Sequence, residues 1–183
     1  MTVAPEILIS TAEIAERVSQ LAESIAAKVP PDVMIVSLLR GSFVFTSDLI
    51  RALHFCGTKN NAPMRPQVDF MTLASYGNLA ASSGSIKIIR DLAENVEGRD
   101  VLIVDDILES GRTLSFAREL VQSRGAKSIH IAVLLEKPGK RKMNIGADFV
   151  GFVIPDKFVV GYGLDYANYY RELPYIGVVE TGH

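Results

Sequence analysis

Two adjacent carboxylates, Asp105 and Asp106, follow directly on the apolar run VLIV at 101–104. The loop ESGRT comes three residues later and combines an acid, two hydroxyls, a glycine and a cation. Backbone N–H groups at the start of a helix favour an anion, and a glycine lets the backbone approach it closely. The segment therefore predicts a phosphomonoester site, with the candidate residues Ser110, Gly111, Arg112 and Thr113.

The two carboxylates need a partner other than the phosphate, because like charges repel. Carboxylate oxygens accept hydrogen bonds from sugar hydroxyls and also bind Mg²⁺. A ribose 5-phosphate would satisfy the whole segment, with its phosphate on the loop and its hydroxyls on Asp105 and Asp106. The alternative is that one acid, or Ser110, only caps the following helix. The P-loop and dinucleotide-binding patterns fit less well, because each lacks required residues here.

The elements around this segment predict an α/β fold in which a central, mostly parallel twisted sheet is flanked by helices. The largely apolar run at 32–39 and the fully apolar run at 101–104, both with β-branched residues, are typical of buried parallel strands. Strands are predicted at 32–39, 67–76, 86–89, 101–104 and 128–135, and helices at about 11–28, 43–55 and 114–124. The small polar residues at 77–85 predict a mobile loop. Ligands bind such sheets beyond the carboxyl ends of the strands, where Asp105 and Asp106 are expected.

The C-terminal part of the chain has a different pattern, with short aromatic-rich β segments at 148–154, 157–162 and 175–180. These segments predict a small antiparallel hood and no further α/β units. We therefore predict one domain over residues 1–183, with a core at about 30–145. The hood would comprise about 146–183 together with part of the N-terminus.

The composition of the 183-residue chain narrows the classes of function. The formal net charge of −2 gives no indication of a nucleic-acid or membrane partner. The single cysteine, Cys56, excludes an intrachain disulfide, and the three histidines show no metal-ligand spacing. No signal peptide or membrane span is recognisable, so a cytoplasmic protein is expected.

Several segments together resemble the type I phosphoribosyltransferases. The stretch VLIVDDILESGRTL at 101–114 is similar to their phosphoribosyl-pyrophosphate motif. LLRGS at 38–42 resembles the pyrophosphate loop of the 6-oxopurine branch, and SYGN at 75–78 resembles the start of its lid. DFVGFVIPDKFVVGYGLDY at 148–166 is similar to the purine-binding segment of that branch. The resemblance covers about 35–182.

This resemblance implies an Mg²⁺-dependent transfer of the 5-phosphoribosyl group from phosphoribosyl pyrophosphate to hypoxanthine and guanine, giving IMP or GMP and pyrophosphate. Carboxylates near the ribose would stabilise an oxocarbenium-like transition state, and Mg²⁺ would neutralise the leaving pyrophosphate. A lid would exclude water. The resemblance further implies the type I fold with its hood and assembly as a homodimer or homotetramer.

The resemblance also implies roles for single residues. Glu109 occupies the position of an aspartate that receives or positions the purine N7 proton; either the loop backbone compensates for the extra methylene, or the proton-transfer role is weaker. The implied pyrophosphate contacts are Arg40, Gly41 and Arg171, after a Leu39–Arg40 peptide expected to be cis. The implied purine contacts are Lys137, Lys157, Phe158 and Val159, the lid residues are Ser75 and Tyr76, and the metal-associated carboxylates are Asp105, Asp106 and Asp165. Without the resemblance, Lys137 would be interpreted as part of a solvated basic loop, and Phe158 and Val159 as core.

Two alternatives remain open. The purine pocket could favour xanthine, or accept hypoxanthine alone, because discrimination at the purine 2-position depends on backbone carbonyl placement. A regulator that senses phosphoribosyl pyrophosphate and binds nucleic acid would need an additional basic surface, whereas the residues before the first motif indicate one amphipathic helix.

Overall fold

The computed structural model describes residues 5–59, 63–76 and 85–179. The helices in these ranges are α1 (Thr11–Ala26), α2 (Phe43–Lys59) and α3 (Arg112–Ser123). The strands are β1 (Glu6–Ile9), β2 (Met34–Leu39), β3 (Gln67–Tyr76), β4 (Ser85–Arg90), β5 (Asp100–Leu108), β6 (Ser128–Glu136), β7 (Phe149–Val153), β8 (Val159–Val160) and β9 (Ile176–Val178). None of the helices in the described part combines the length and apolar character needed to cross a bilayer.

Six strands form the central sheet in the order β4-β3-β2-β5-β6-β7. All neighbouring pairs are parallel except β3 with β4. The sheet confirms the predicted α/β core. It places the two apolar runs that gave the clearest strand signal, β2 and β5, side by side in the middle.

Helices cover both faces of this sheet, and the two-residue alternation of the strands distributes apolar side chains between them. In β2, Met34, Val36 and Leu38 pack in one hydrophobic cluster with residues of α3. Ile35 packs in the other cluster with residues of α1 and α2. The predicted capping box of α1 is present, since Ser10 and Glu13 each bond the other's backbone N–H.

The order of the strands defines where a ligand can enter. From β2 the chain passes through α2 to β3, whereas from β5 it passes through α3 to β6 on the opposite side. The carboxyl ends of β2 and β5 therefore form the topological switch point of the sheet, where open α/β folds bind ligands. Arg40 and Gly41 follow β2 there, and Asp105 and Asp106 lie on β5.

Strand β5 is longer than predicted, because it continues past 104 to Leu108 and includes both acids. Parallel pairing with β6 extends through Asp105↔Val133 to Leu108↔Glu136. The prediction that the acids follow the strand was wrong, because pairing with β6 holds this segment extended despite the low strand preference of aspartate.

The hood also differs from the prediction. β7 pairs in parallel with β6 at the edge of the central sheet, so its assignment to the hood was wrong. The second sheet contains β1, β9 and β8 in that order, with both pairs antiparallel. The predicted mobile loop at 77–85 lies outside the described residues, apart from Ser85 at the start of β4.

Candidate active site

The switch point opens into a cleft of two adjoining cavities of about 640 and 280 Å³. The smaller cavity is lined by predicted phosphoribosyl-site residues, namely Asp105, Asp106, Ser110, Gly111 and Thr113. The larger cavity is lined by predicted pyrophosphate, purine and metal residues, namely Arg40, Gly41, Lys137, Phe158, Val159, Asp165 and Arg171. Asp106 and Glu109 line both. Of the predicted site residues whose side chains are described, Arg112 and Lys157 line neither cavity.

The amino end of α3 forms the floor of the smaller cavity. Its N-cap is Gly111, in the left-handed region with φ 78°, and no side chain caps the helix. Glycine is required at position 111 for two reasons. Other residues rarely adopt this positive φ, and a Cβ there would lie 2.6 Å from Ile145 Cγ2. The helix begins at Arg112, two residues earlier than predicted, so its first amides belong to the loop that the sequence assigned to the phosphate.

The side chains of the two acids do not cap this helix. Asp105 Oδ1 accepts from the backbone N–H of Asp106 at 3.0 Å, and Asp106 Oδ1 accepts from that of Ile107 at 2.8 Å. Ser110 Oγ makes only a long contact, 3.4 Å, with the backbone N–H of Arg112. The helix-cap alternative for the acids is therefore excluded, and their second oxygens are not used by these bonds.

The electrostatics of the acid pair are unfavourable in the free protein. Asp105 is only 7% exposed. Burial, followed by the charge of Asp106, raises the pKa of Asp105 well above its usual value. Burial also raises the pKa of Asp106, although its hydrogen bonds and the charge of Arg171 oppose this effect. The pair is therefore arranged for a ligand that supplies hydrogen-bond donors or positive charge.

Gly41, in the loop after β2, packs closely against β5 and against the chain after β8. A Cβ on Gly41 would be 1.5 Å from Asp106 Oδ2, so the acid of β5 packs directly on the loop after β2. A Cβ on Gly163 would be 2.3 Å from the carbonyl oxygen of Gly41. Gly163 also has φ 99°, which side chains rarely adopt. Segments from β2, β5 and the chain after β8 thus meet with no room for a side chain.

The pyrophosphate end of the cleft has paired charges. The Leu39–Arg40 peptide is cis, as expected from the resemblance. Arg171 Nη2 lies 2.6 Å from Asp165 Oδ1, and its Nη1 donates to the carbonyl of Gly163 at 2.6 Å. Asp165 Oδ2 also accepts from the backbone N–H of Asn168. The guanidinium groups of Arg40 and Arg171 and the carboxylate of Asp165 therefore line the same cavity.

The purine end is formed by an ion pair and an aromatic ring. Lys137 Nζ lies 3.0 Å from Glu109 Oε1; the lysine side chain is 8% exposed and the glutamate side chain 46%. The ring of Phe158 is exposed and packs edge-to-face on Tyr166, with centroids 5.5 Å apart. Val159 is buried on β8 and belongs to the core cluster as well as lining the cavity. The interpretation of Lys137 as part of a solvated loop is excluded by its burial.

Other residues at the site were not predicted. Thr72, Leu73 and Ala74 near the end of β3, and Ile89 on β4, line the larger cavity. The apolar pattern predicts strand β3 but does not reveal which strand lies beside it. These residues could therefore not be placed near β2 from the sequence. The predicted lid residues Ser75 and Tyr76 end β3, and their side chains lie outside the described part.

One long-range hydrogen bond fastens the chain after β8 to α2. The hydroxyl of Tyr162 donates to Asp48 Oδ2, and Arg51 pairs with the same carboxylate. Burial and this hydrogen bond raise the pKa of Tyr162. The contact holds the start of the segment that carries Gly163, Asp165 and Arg171, and no sequence motif indicated it.

Comparisons with known proteins agree with this geometry. The family model for the phosphoribosyl transferase domain matches residues 5–167. Hypoxanthine phosphoribosyltransferase of Escherichia coli (strain K12) is 46% identical over 95% of this chain and 94% of its own length. Hypoxanthine-guanine phosphoribosyltransferase of Bacillus subtilis (strain 168) is 47% identical over 96% and 93%. The crystal structure of a hypoxanthine phosphoribosyltransferase from Staphylococcus aureus superposes with a TM-score of 0.86 at 41% identity, covering 96% of this chain and 91% of that chain. The chain therefore belongs to the phosphoribosyltransferase family, in its hypoxanthine(-guanine) branch, and has the type I phosphoribosyltransferase fold.

Gly41→Ala tests the close approach in the cleft. Because the new methyl group would overlap Asp106 Oδ2, either the loop or the acid must move, and a displacement of about 1 Å can reduce a rate by about 100-fold. We expect a loss of that order in kcat/KM for the phosphoribosyl donor. Gly146→Ala is the matched control, because a Cβ there meets nothing within 4 Å. Near wild-type kcat/KM in Gly41→Ala would contradict the packing argument.

Asp105→Asn tests the buried charge. Because the pKa of Asp105 is raised in the folded state from 3.8, the folded protein binds more protons than the unfolded chain above that pH. The contribution of Asp105 to wild-type stability therefore falls as pH rises from 3.8 through the raised value. We expect the difference in Tm, variant minus wild type, to become more positive as pH rises above 3.8.

The control for this measurement is Asp32→Asn, which changes an exposed acid. Its effect on Tm should be small. A Tm difference for Asp105→Asn that becomes more negative as pH rises, or that does not change with pH, would contradict the electrostatic account.

Proposed function

We propose that this chain transfers the 5-phosphoribosyl group of phosphoribosyl pyrophosphate to hypoxanthine and guanine in purine salvage, giving IMP or GMP and pyrophosphate. The observation that carries the choice of base is the Lys137–Glu109 pair, 3.0 Å apart in the larger cavity. A 6-oxopurine presents its exocyclic oxygen and N7 on the same edge. Lysine has donors only and ionised glutamate has acceptors only, so the pair complements a carbonyl oxygen beside an N7–H.

The same pair opposes adenine. The amino group of adenine would direct donors at the Lys137 ammonium, which has no acceptor. A buried polar group left without a partner loses its solvation with no compensation. The exposed face of Phe158 lies in the same cavity and is available to stack on the base.

The reaction follows from the arrangement of the other residues. The phosphate of the donor binds at the amino end of α3, beside Gly111 and Thr113. Asp105 and Asp106 accept hydrogen bonds from the ribose hydroxyls, and these bonds favour the ionised acids against the effect of burial. The two carboxylates then stabilise the positive charge that develops on the ribose as the bond from the anomeric carbon to pyrophosphate breaks.

Glu109 acts on the base as the new bond forms. The purine N9 bonds to the anomeric carbon, and the N7 proton passes to the Glu109 carboxylate, which lies at the junction of the two cavities. Arg40 and Arg171 face the leaving pyrophosphate in the larger cavity. Lys157 belongs to this proposal through the resemblance alone, as do Ser75 and Tyr76 as lid residues and Arg112 as a phosphoribosyl contact.

Mg²⁺ is the expected cofactor, and the acids of the cleft suit it. It is usually bound by one or two carboxylates together with substrate phosphates. Asp106 and Asp165 line one cavity and supply such oxygens, with Asp105 beside Asp106. Within the described residues, no three or more His, Cys, Asp and Glu side chains are grouped to hold a metal. When bound, Mg²⁺ neutralises charge on the leaving pyrophosphate.

The decisive experiment is an Mg²⁺-dependent assay with phosphoribosyl pyrophosphate and each of hypoxanthine, guanine, xanthine and adenine. We expect kcat/KM to be highest for hypoxanthine and guanine. Xanthine as the best substrate would support the xanthine-preferring alternative, and turnover of hypoxanthine alone would support the narrower enzyme. Adenine as the best substrate would contradict the role of Lys137, and no turnover with any base would contradict the proposal.

Glu109→Gln tests the proton acceptor. Glutamine keeps the length of the side chain but cannot take the N7 proton, and a general base contributes about 10²–10⁴-fold. We expect kcat to fall within that range while the KM for phosphoribosyl pyrophosphate changes little. Glu109→Asp, which keeps the carboxylate, should retain more activity than Glu109→Gln. Equal kcat values for wild type and Glu109→Gln would remove this residue from the mechanism.

Assembly as a homodimer or homotetramer and a cytoplasmic location complete the proposal. The assembly follows from the resemblance alone, and the location follows from the sequence. Light scattering after size-exclusion chromatography measures the first, and a molar mass equal to that of the 20.0 kDa chain would contradict it.

A further inference from the structure

Three buried hydroxyl groups lie behind the loop that carries Arg40 and Gly41. Ser37 on β2, Ser42 directly before α2 and Thr46 in the first turns of α2 are each 2% exposed or less. Ser37 Oγ is 2.8 Å from Ser42 Oγ and 2.8 Å from Thr46 Oγ1. Ser42 Oγ donates to the carbonyl of Leu38 at 2.5 Å. The three hydroxyls therefore form one continuous chain of hydrogen bonds.

The direction of this chain is fixed by counting hydrogens, because each hydroxyl has one. The hydrogen of Ser42 is used on the Leu38 carbonyl, so Ser37 must donate to Ser42 Oγ. The hydrogen of Ser37 is then used, so Thr46 must donate to Ser37 Oγ. The chain runs from Thr46 through Ser37 and Ser42 to the Leu38 carbonyl, and every hydroxyl in it is satisfied.

The chain connects the sheet and α2 across the base of the loop. The Leu38 carbonyl lies two residues before Arg40, and Ser42 directly follows Gly41. Backbone bonds act at the same place, since the carbonyl of Ser42 accepts from Thr46 N at 2.8 Å and that of Arg40 accepts from Phe43 N at 3.3 Å. Both ends of the Leu39–Gly41 segment are therefore held by hydroxyls that the ligand cannot touch.

Packing alone does not explain these polar residues. Ser37 lies in the centre of the sheet, opposite Phe70 of β3 and Val104 of β5, in a strand whose other members are apolar. An apolar side chain would fill that position without the desolvation that a hydroxyl incurs. Hydrogen bonds differ from apolar contacts because they fix direction. A loop that must present its atoms to a charged ligand requires this directional support.

We propose that Thr46 and Ser37, through Ser42, are positioning residues for the pyrophosphate loop. This inference rests on the proposed function. Neither Thr46 nor Ser37 lines either cavity of the cleft. Their loss should therefore weaken the interaction with the pyrophosphate group selectively, while the purine contacts at Lys137 and Phe158 remain intact.

A matched pair of variants at Thr46 separates the hydroxyl from the packing. Thr46→Val removes the hydroxyl and keeps the shape, whereas Thr46→Ser keeps the hydroxyl and removes a methyl group. The steady-state KM for phosphoribosyl pyrophosphate and for hypoxanthine is measured, together with KM for pyrophosphate in the reverse reaction. Calorimetric titration of each protein with pyrophosphate and Mg²⁺ measures binding without turnover.

For Thr46→Val we expect KM for phosphoribosyl pyrophosphate and for pyrophosphate to rise about three- to tenfold, comparable to the loss of one hydrogen bond. The pyrophosphate Kd should rise by a similar factor, and KM for hypoxanthine should stay within about twofold. A tenfold change corresponds to about 1.4 kcal/mol. Thr46→Ser should resemble wild type, and Ser37→Ala should resemble Thr46→Val.

The control for a general loss of stability is Ser128→Ala, which removes a 2.6 Å hydrogen bond to Asp100 at the amino ends of β5 and β6. It should lower Tm without changing any of the three KM values. The inference is overturned if Thr46→Val leaves the pyrophosphate Kd unchanged, if Thr46→Ser weakens binding as much, or if KM for hypoxanthine rises in parallel. Wild-type protein that binds pyrophosphate but turns over no base would contradict the proposed function, while the calorimetric comparison would still decide the inference.

Discussion

The geometry of the cleft depends on one steric constraint, the absence of a side chain at Gly41. Its backbone is held between the Asp106 carboxylate of β5 and the chain at Gly163, at separations that no Cβ could occupy. This packing brings the loop after β2, the two acids of β5 and the segment carrying Asp165 and Arg171 together at one cleft. Three parts of the sequence that are distant along the chain meet because the Gly41 backbone packs against both the Asp106 carboxylate and the chain at Gly163.

The apolar core around β5 offsets the unfavourable position of the acids. Asp105 is a buried charge beside a second carboxylate, which is an unfavourable arrangement in a free protein. β5 tolerates it because the strand lies between β2 and β6, with hydrophobic clusters on both faces. The destabilising pair becomes favourable only when hydroxyls or a cation reach it, so the protein is complementary to its ligand before the ligand arrives.

The sequence predicted the helices and strands more reliably than it predicted which strands pair with each other. The capping box at Ser10 and the apolar runs of β2 and β6 were sufficient to locate α1 and the central strands, because local physics determines them. The end of β5 was wrong because pairing with β6 overrides the propensity of aspartate, and β7 was misplaced because a short apolar run does not reveal its neighbour. The prediction of a phosphate site at 109–113 was made from residue types alone. Lys137 and Phe158 required the resemblance, because each alone has a more ordinary interpretation.

Helix α2 links these observations, because it holds two walls of the cleft with separate polar contacts. Thr46 reaches the loop after β2 through Ser37, and Asp48 reaches the chain after β8 through the Tyr162 hydroxyl. Both contacts come from the first two turns of the helix. A displacement of this end of α2 would therefore move Arg40 and Arg171 together. The two cations that we propose to face the leaving group are thus both connected to one helix of the scaffold through hydrogen bonds.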